Sequence, residues 1–220
     1  RLTLTNQNYR TPLGVLETDT ELVDEISRIL SFDSTVDDHP FADEFNHANE
    51  HSIELATVWL HRAIGSSNAK MLPILCGAFG GLLEADSPNI DDHPEIRRVI
   101  RLLQSVAGER RTMFIAAADL SHVGPAFGQD ELMPKDSEDR RRVKTEDEVL
   151  FKAIVSGSRR RFFEAIRNNN DRNRICGFSP IYMTMWAADT TIGTWNGYQQ
   201  CQADEEDTSF VSIAGAALFG

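Results

Sequence analysis

Two short, continuous apolar runs, at residues 71–75 and 113–117, flank a segment with helical periodicity, and this arrangement restricts the fold more than any other feature of the chain. Between them, Pro94 opens a stretch in which Ile96, Val99, Ile100 and Leu103 recur on one helical face. A strand that is apolar at every position is covered on both faces, and helical crossovers supply such cover. The order strand, helix, strand predicts a βαβ unit and an α/β fold, with a mixed sheet flanked by helices.

The rest of the chain reads the same way. Leu2 to Thr5 alternates as a strand does, and Thr11-Pro12-Leu13-Gly14 signals a turn before Val15-Leu16. Thr18 stands three residues ahead of Glu21, a capping-box spacing, and Leu22, Val23, Ile26, Ile29 and Leu30 then form an inward stripe. After a polar stretch at 31–48, Asn49 is placed to cap a helix carrying Ile53, Ala56, Trp59, Leu60 and Ile64, closed by Gly65-Ser66-Ser67-Asn68. Residues 137–168 read as two helices broken near Ser156-Gly157, another helix starts near Pro180, and two β-rich runs, 192–201 and 210–219, end the chain. At 220 residues, one α/β domain spanning 1–220 is expected.

Composition excludes several classes of partner. With 34 acidic against 22 basic residues, the net charge of -12 repels a phosphate backbone, so no nucleic-acid partner is expected. No apolar stretch approaches the roughly 20 residues that span a bilayer, so no membrane association is expected. Three cysteines (Cys76, Cys176, Cys201) are too few for a disulfide framework, and a reducing, cytoplasmic setting fits them. The arginine triplets at 140–142 and 159–161 lie among acidic partners or at helix starts and read as solvated faces. No P-loop, nucleophile elbow, paired CxxC or Gly-rich dinucleotide fingerprint occurs.

Three segments could carry chemistry. In Asp119-Leu120-Ser121-His122-Val123-Gly124, directly after the 113–117 run, a carboxylate and an imidazole three residues apart can converge on a metal or share a proton. The alternative is that Asp119 caps a turn and His122 makes a buried hydrogen bond. In Ile175-Cys176-Gly177-Phe178-Ser179-Pro180, Pro180 suits the first position of a helix, and the thiol just ahead of it can be a metal ligand or a nucleophile. The alternative is a small buried hydrophobe. Glu50 and His51 stand at a helix start, where plain capping competes with a site role. His39, His47, His61 and His93 lie in polar settings and read as solvated.

Five segments, in order, resemble the MEMO family, which includes AmmeMemoRadiSam system protein B. They are Tyr9-Arg10-Thr11-Pro12-Leu13-Gly14, Glu50-His51-Ser52-Ile53-Glu54, Leu72-Pro73-Ile74-Leu75-Cys76-Gly77, Asp119 to Gly124, and Ile175-Cys176-Gly177-Phe178-Ser179-Pro180-Ile181. The resemblance covers the C-terminal two thirds of such a protein. It implies a fold similar to class III extradiol dioxygenases and a metal site, iron or copper, serving an oxidoreductase of unknown substrate. Carried onto this chain, it implies that Cys176 and His122 are metal ligands, that His122 and Asp119 act catalytically, and that Glu50 and His51 line the cofactor site. Two further family histidines, in a Pro-His motif and a Gly-Pro-Ser-His-like motif, belong to an N-terminal segment that this sequence lacks, so metal binding is expected to be weak in this chain. Some family members are described as signalling or scaffold proteins, and that implies a second possibility, a non-catalytic module whose pocket takes a peptide or small ligand.

Overall fold

Leu2, Thr3 and Leu4 are all buried in strand β1 (Leu2–Leu4), which pairs antiparallel with β4 (Ile74–Cys76), Leu2 opposite Cys76. The computed structural model describes residues 1–31, 39–65, 67–78 and 90–219. These form two compact units, one of described residues up to Thr112 and one from Met113 onward. Part of the expected polar stretch, residues 32–38, and Ser66 of the expected closing turn lie outside the described residues.

In the first unit, β2 (Tyr9–Thr11) and β3 (Gly14–Leu16) form a tight hairpin around Pro12-Leu13. Helix α1 (Thr20–Leu30) buries Leu22, Val23 and Ile26. Its cap is Asp19, whose carboxylate accepts from the Leu22 amide at 3.3 Å, and not Thr18, whose hydroxyl is drawn away to donate to the Gln7 carbonyl at 2.6 Å. A single turn, α2 (Asn46–Asn49), leads into α3 (His51–Ile64), capped by Glu50 and not by Asn49. In α3 only Thr57 is fully buried, and Trp59, expected on the inward stripe, is 76% exposed. Helix α4 (Pro94–Glu109) follows the expected stripe, burying Val99, Ile100 and Leu103.

The βαβ unit does not form among the described residues. The run at 71–75 is split by Pro73, which has no N–H to donate: Met71 makes an isolated parallel bridge to Thr18, and only Ile74–Cys76 joins a ladder, an antiparallel one. Residues 113–117 have no backbone partner in any described strand, and Met113 and Ile115 are 66% and 49% exposed. An apolar run encodes a strand only when a second backbone lies alongside it, and that second backbone is not a local property of the sequence.

The second unit is built on a three-stranded antiparallel sheet of order β5 (His122–Val123), β7 (Phe210–Phe219), β6 (Ile192–Gln202). The β6–β7 hairpin pairs Ile192 with Phe219 at one end and Gln202 with Phe210 at the other, with a bulge between Asn196 and Tyr198. Helices α5 (Glu138–Val155) and α6 (Arg159–Asn168) break at Ser156-Gly157 as expected, Ser158 capping the second through the Arg161 amide. Helix α7 (Phe178–Ala188) starts two residues before Pro180, which therefore takes the third helical position and not the first; its missing N–H still costs nothing within the opening turn. Val123, Met133, Val143 and Phe210 form the core against the sheet. The described residues form a mixed α/β structure of helices and small antiparallel sheets.

Candidate metal centre

Asp119, Ser121 and His122 are fixed by the backbone of two flanking segments. The Leu120 amide donates to the Ser212 carbonyl at 3.0 Å and the Ser212 amide donates to the Ser121 carbonyl at 2.9 Å, lacing the loop to β7. On the other side the His122 amide donates to the Asn173 carbonyl at 2.8 Å, and the Gly177 amide to the Asp119 carbonyl at 3.0 Å. These bonds join the 119–122 segment to the one that carries Cys176. Gly177 permits the approach: a Cβ there would lie 2.3 Å from the Asp119 carbonyl oxygen and 2.8 Å from Ile181 Cδ1. Beyond the loop Gly124 turns at φ +105°, and a Cβ on it would meet the Thr208 carbonyl oxygen at 2.6 Å, so the return toward Pro125 also requires glycine.

Against that frame the three side chains converge. One donor atom each from Asp119, His122 and Cys176 can be chosen so that all lie within 4.8 Å of one another, although 119 and 176 are far apart in sequence. Cys176 is exposed and Asp119 and His122 are half-buried. Cys176 directly precedes Gly177, the N-cap of α7, and its thiol donates weakly to the Asp119 carbonyl at 3.6 Å. Phe178, the next residue, is buried against Phe163 at 5.9 Å and Phe162 at 6.3 Å, which anchors the start of the helix.

The state of His122 follows from its neighbours. Its Nδ1 lies 3.1 Å from the Leu120 carbonyl oxygen, and a carbonyl only accepts, so Nδ1 carries the proton of the neutral ring. Nε2 is left with its lone pair, 3.9 Å from Asp119 Oδ2. That distance exceeds a hydrogen bond, so the backbone carbonyl and the edge contact with Phe127, ring centroids 5.0 Å apart, orient the imidazole.

The donor set fits a transition-metal ion. Ligands at 2.0–2.3 Å around a tetrahedral ion stand roughly 3.3–3.8 Å apart, within about 1.5 Å of the 4.8 Å that bounds the present separations, a gap side-chain rotation can close. Thiolate sulfur is a soft donor, imidazole nitrogen a borderline one and carboxylate oxygen a hard one, and the sulfur and nitrogen favour iron, copper or zinc over magnesium or calcium.

Glu50 and His51 belong to the first unit. The Glu50 carboxylate accepts from the Ser52 amide at 2.8 Å as the α3 cap, and His51 lies exposed 3.6 Å from it. Burial pushes the Glu50 carboxyl up, and the hydrogen bonds from Ser52 together with His51 more than reverse this, leaving it below its ordinary value.

A family model described as Memo-like protein matches residues 2–217, nearly the whole chain. The chain belongs to the Memo-like family. Similar proteins include the protein memo-1 homolog of Caenorhabditis elegans, 25% identical over 189 residues, which is 84% of this chain and 47% of that protein. A MEMO1 family protein of Aquifex aeolicus is 23% identical across 96% of this chain and 50% of its own length. A MEMO1 family protein of Methanopyrus kandleri is 32% identical across 70% of this chain and 47% of its own length. The Memo-like chain thus spans about half the length of the curated relatives it matches.

Three residues of this Memo-like chain escaped sequence reasoning. Asp147 is fully buried in α5, where Ser121 Oγ donates to its Oδ1 at 2.6 Å and Tyr198 Oη to its Oδ2 at 2.8 Å. Burial raises its carboxyl above the ordinary value, against the opposing hydrogen bonds from Ser121, Ser212 and Tyr198. His47, expected to be solvated, is buried: its Nε2–H donates to the Thr3 carbonyl at 3.0 Å, and Nδ1 accepts from Tyr9 Oη at 2.8 Å. Arg140, expected on a solvated face, is buried with Nε on the Met133 carbonyl at 2.6 Å and Nη2 on Asp207. The only sequence signal for any of the three is the helical stripe that runs through Arg140, Val143, Asp147 and Leu150.

Proposed function

We propose that Cys176 and His122 hold an iron or copper ion, with Asp119 beside them, in a metal-dependent, oxidoreductase-like protein with a small-molecule or peptide ligand. The observation that carries this reading is the convergence of the three donor atoms within 4.8 Å. A bound ion of this kind supplies Lewis acidity and one-electron chemistry. The chain's own residues do the rest. The Leu120 carbonyl holds His122 in the tautomer whose Nε2 lone pair is available to the ion. The α7 N-terminus favours the Cys176 thiolate, and Asp119, close to Nε2, accepts or returns a proton at its carboxylate. Two protein donors leave coordination positions open for a ligand. The likeness to class III extradiol dioxygenases belongs to this same reading.

A non-catalytic binding module is favoured by a different observation: Cys176 is exposed and the Asp119 side chain is 44% exposed, whereas oxidative chemistry is usually screened from water. Metal titration of the chain, with a Cys176→Ser variant beside it at one pH, separates the two. Stoichiometric iron, copper or cobalt binding that falls by about 100-fold in the variant supports the metal site. Absence of stoichiometric binding, or equal affinity in both proteins, refutes it and leaves the binding module.

A further inference from the structure

The loop bearing Asp119 and His122 rests on a buried carboxylate that the metal-site reading does not use. Asp147 has no exposed surface, and each of its oxygens accepts from a hydroxyl on a different element: Ser121 on the loop itself, Tyr198 on β6. Ser121 is itself fully buried and lies between Leu120, whose carbonyl accepts a hydrogen bond from His122 Nδ1–H, and His122. Its amide donates to Ser212 Oγ at 2.9 Å, so both its backbone and its side chain are fixed. A buried carboxylate held only by hydroxyls is an expensive way to fill a core, since an apolar side chain of similar size is often at least as stabilising.

We propose that Asp147, acting through Ser121, is a positioning residue that sets the tautomer of His122 and the spacing of Asp119 and His122 to Cys176, an inference that rests on the metal-site reading above. Three hydroxyls, those of Ser121, Ser212 and Tyr198, bond the carboxylate, and only that of Ser121 belongs to the loop. Ser121→Ala and Tyr198→Phe each remove one hydroxyl from Asp147, the first on the loop and the second on the sheet. A merely structural carboxylate treats them alike.

The test compares wild type with these two variants by Co(II) titration and, without metal, by nitrogen-15 NMR of the histidine rings. Ser121→Ala is expected to weaken Co(II) binding about tenfold or more, the usual cost of losing a supporting hydrogen bond outside the ligand set. It is also expected to shift His122 from the Nδ1–H form to a mixture. Tyr198→Phe is expected to keep Co(II) affinity within about threefold and to leave the tautomer as in wild type, while lowering the urea midpoint as much as Ser121→Ala does. Asp147→Val should reproduce the Ser121→Ala ring spectrum; if that variant does not fold, the hydroxyl pair decides alone. An unchanged His122 tautomer in Ser121→Ala, or equal effects of the two hydroxyl variants on the ring, overturns the proposal. If wild type binds no Co(II) yet Ser121→Ala alone shifts the tautomer, the metal reading falls and the positioning role stands.

Discussion

Replacing Gly177 by alanine sets two effects of opposite sign against each other. The backbone there has φ -73° and ψ 1°, which alanine adopts without strain, so an added methyl would by itself stabilise by about 0.4–1 kcal/mol through the unfolded chain. The structure places that methyl 2.3 Å from the Asp119 carbonyl oxygen, 2.8 Å from Ile181 Cδ1 and 3.0 Å from Ala118 Cβ. Contacts this short force the two segments apart, at about 1–3 kcal/mol for overpacking. The displacement also stretches the bond from the Gly177 amide to the Asp119 carbonyl, adding about 1 kcal/mol. The net expectation is a loss of about 1–3.5 kcal/mol. Urea unfolding monitored by circular dichroism reads it as a lowered midpoint at constant slope. Because the same bond ties Cys176 to the Asp119 loop, Co(II) affinity should fall in parallel. An unchanged or raised midpoint would refute the reasoning, since it would mean that the segments are not in contact at this glycine.

Three further outcomes follow from the buried groups. Burial lowers the pKa of His47 below its ordinary 6.5, so the neutral ring stabilises the fold at pH above 6.5, and that stability is lost as pH falls from there through the folded value; urea midpoints across this range should decline more steeply in wild type than in His47→Gln. Tyr9→Phe leaves the buried His47 Nδ1 without its donor and should cost about 1–3 kcal/mol in the same assay. Arg140→Lys keeps the charge but loses the fork that reaches the Met133 carbonyl and Asp207 together, and should lose about 1–3 kcal/mol, where a solvated arginine would lose nothing measurable.

The two segments that converge were legible in the sequence as short motifs, and their meeting was an expectation of the family resemblance. Asp119 and His122 share one loop, and Cys176 comes with the glycine that lets its segment approach that loop. The break between α5 and α6 was legible because Ser158 caps within its own turn. What could not be read depends on partners far along the chain. The apolar run at 113–117 looks like a strand, yet strand formation depends on a second backbone. His47 looks solvated because its donor, Tyr9, is 38 residues away. Asp147 sits between Glu146 and Glu148 on a highly charged helix, and only the fold shows that it alone of the three is fully buried.

The bulge at Gly197 gives strand β6 a counting rule. In an uninterrupted strand Trp195 and Tyr198, three residues apart, point to opposite faces. Here Gly197, at φ +70°, has no partner on β7, and both side chains reach α5: Trp195 stacks on Phe151 with centroids 5.0 Å apart, and Tyr198 bonds Asp147 one helical turn earlier. The hairpin therefore carries its phase in a single residue, and the parity of any length change matters more than its size. Two residues added to the 203–209 connection leave the β6–β7 ladder in phase, although they displace Asp207 from Arg140 and Thr208 from Met133. One residue added or removed between Tyr198 and Gln202 turns the Asp147 hydroxyl partner to the opposite face without altering composition at all. Length variation in this chain should accordingly be refused on the stretch of strand that faces α5.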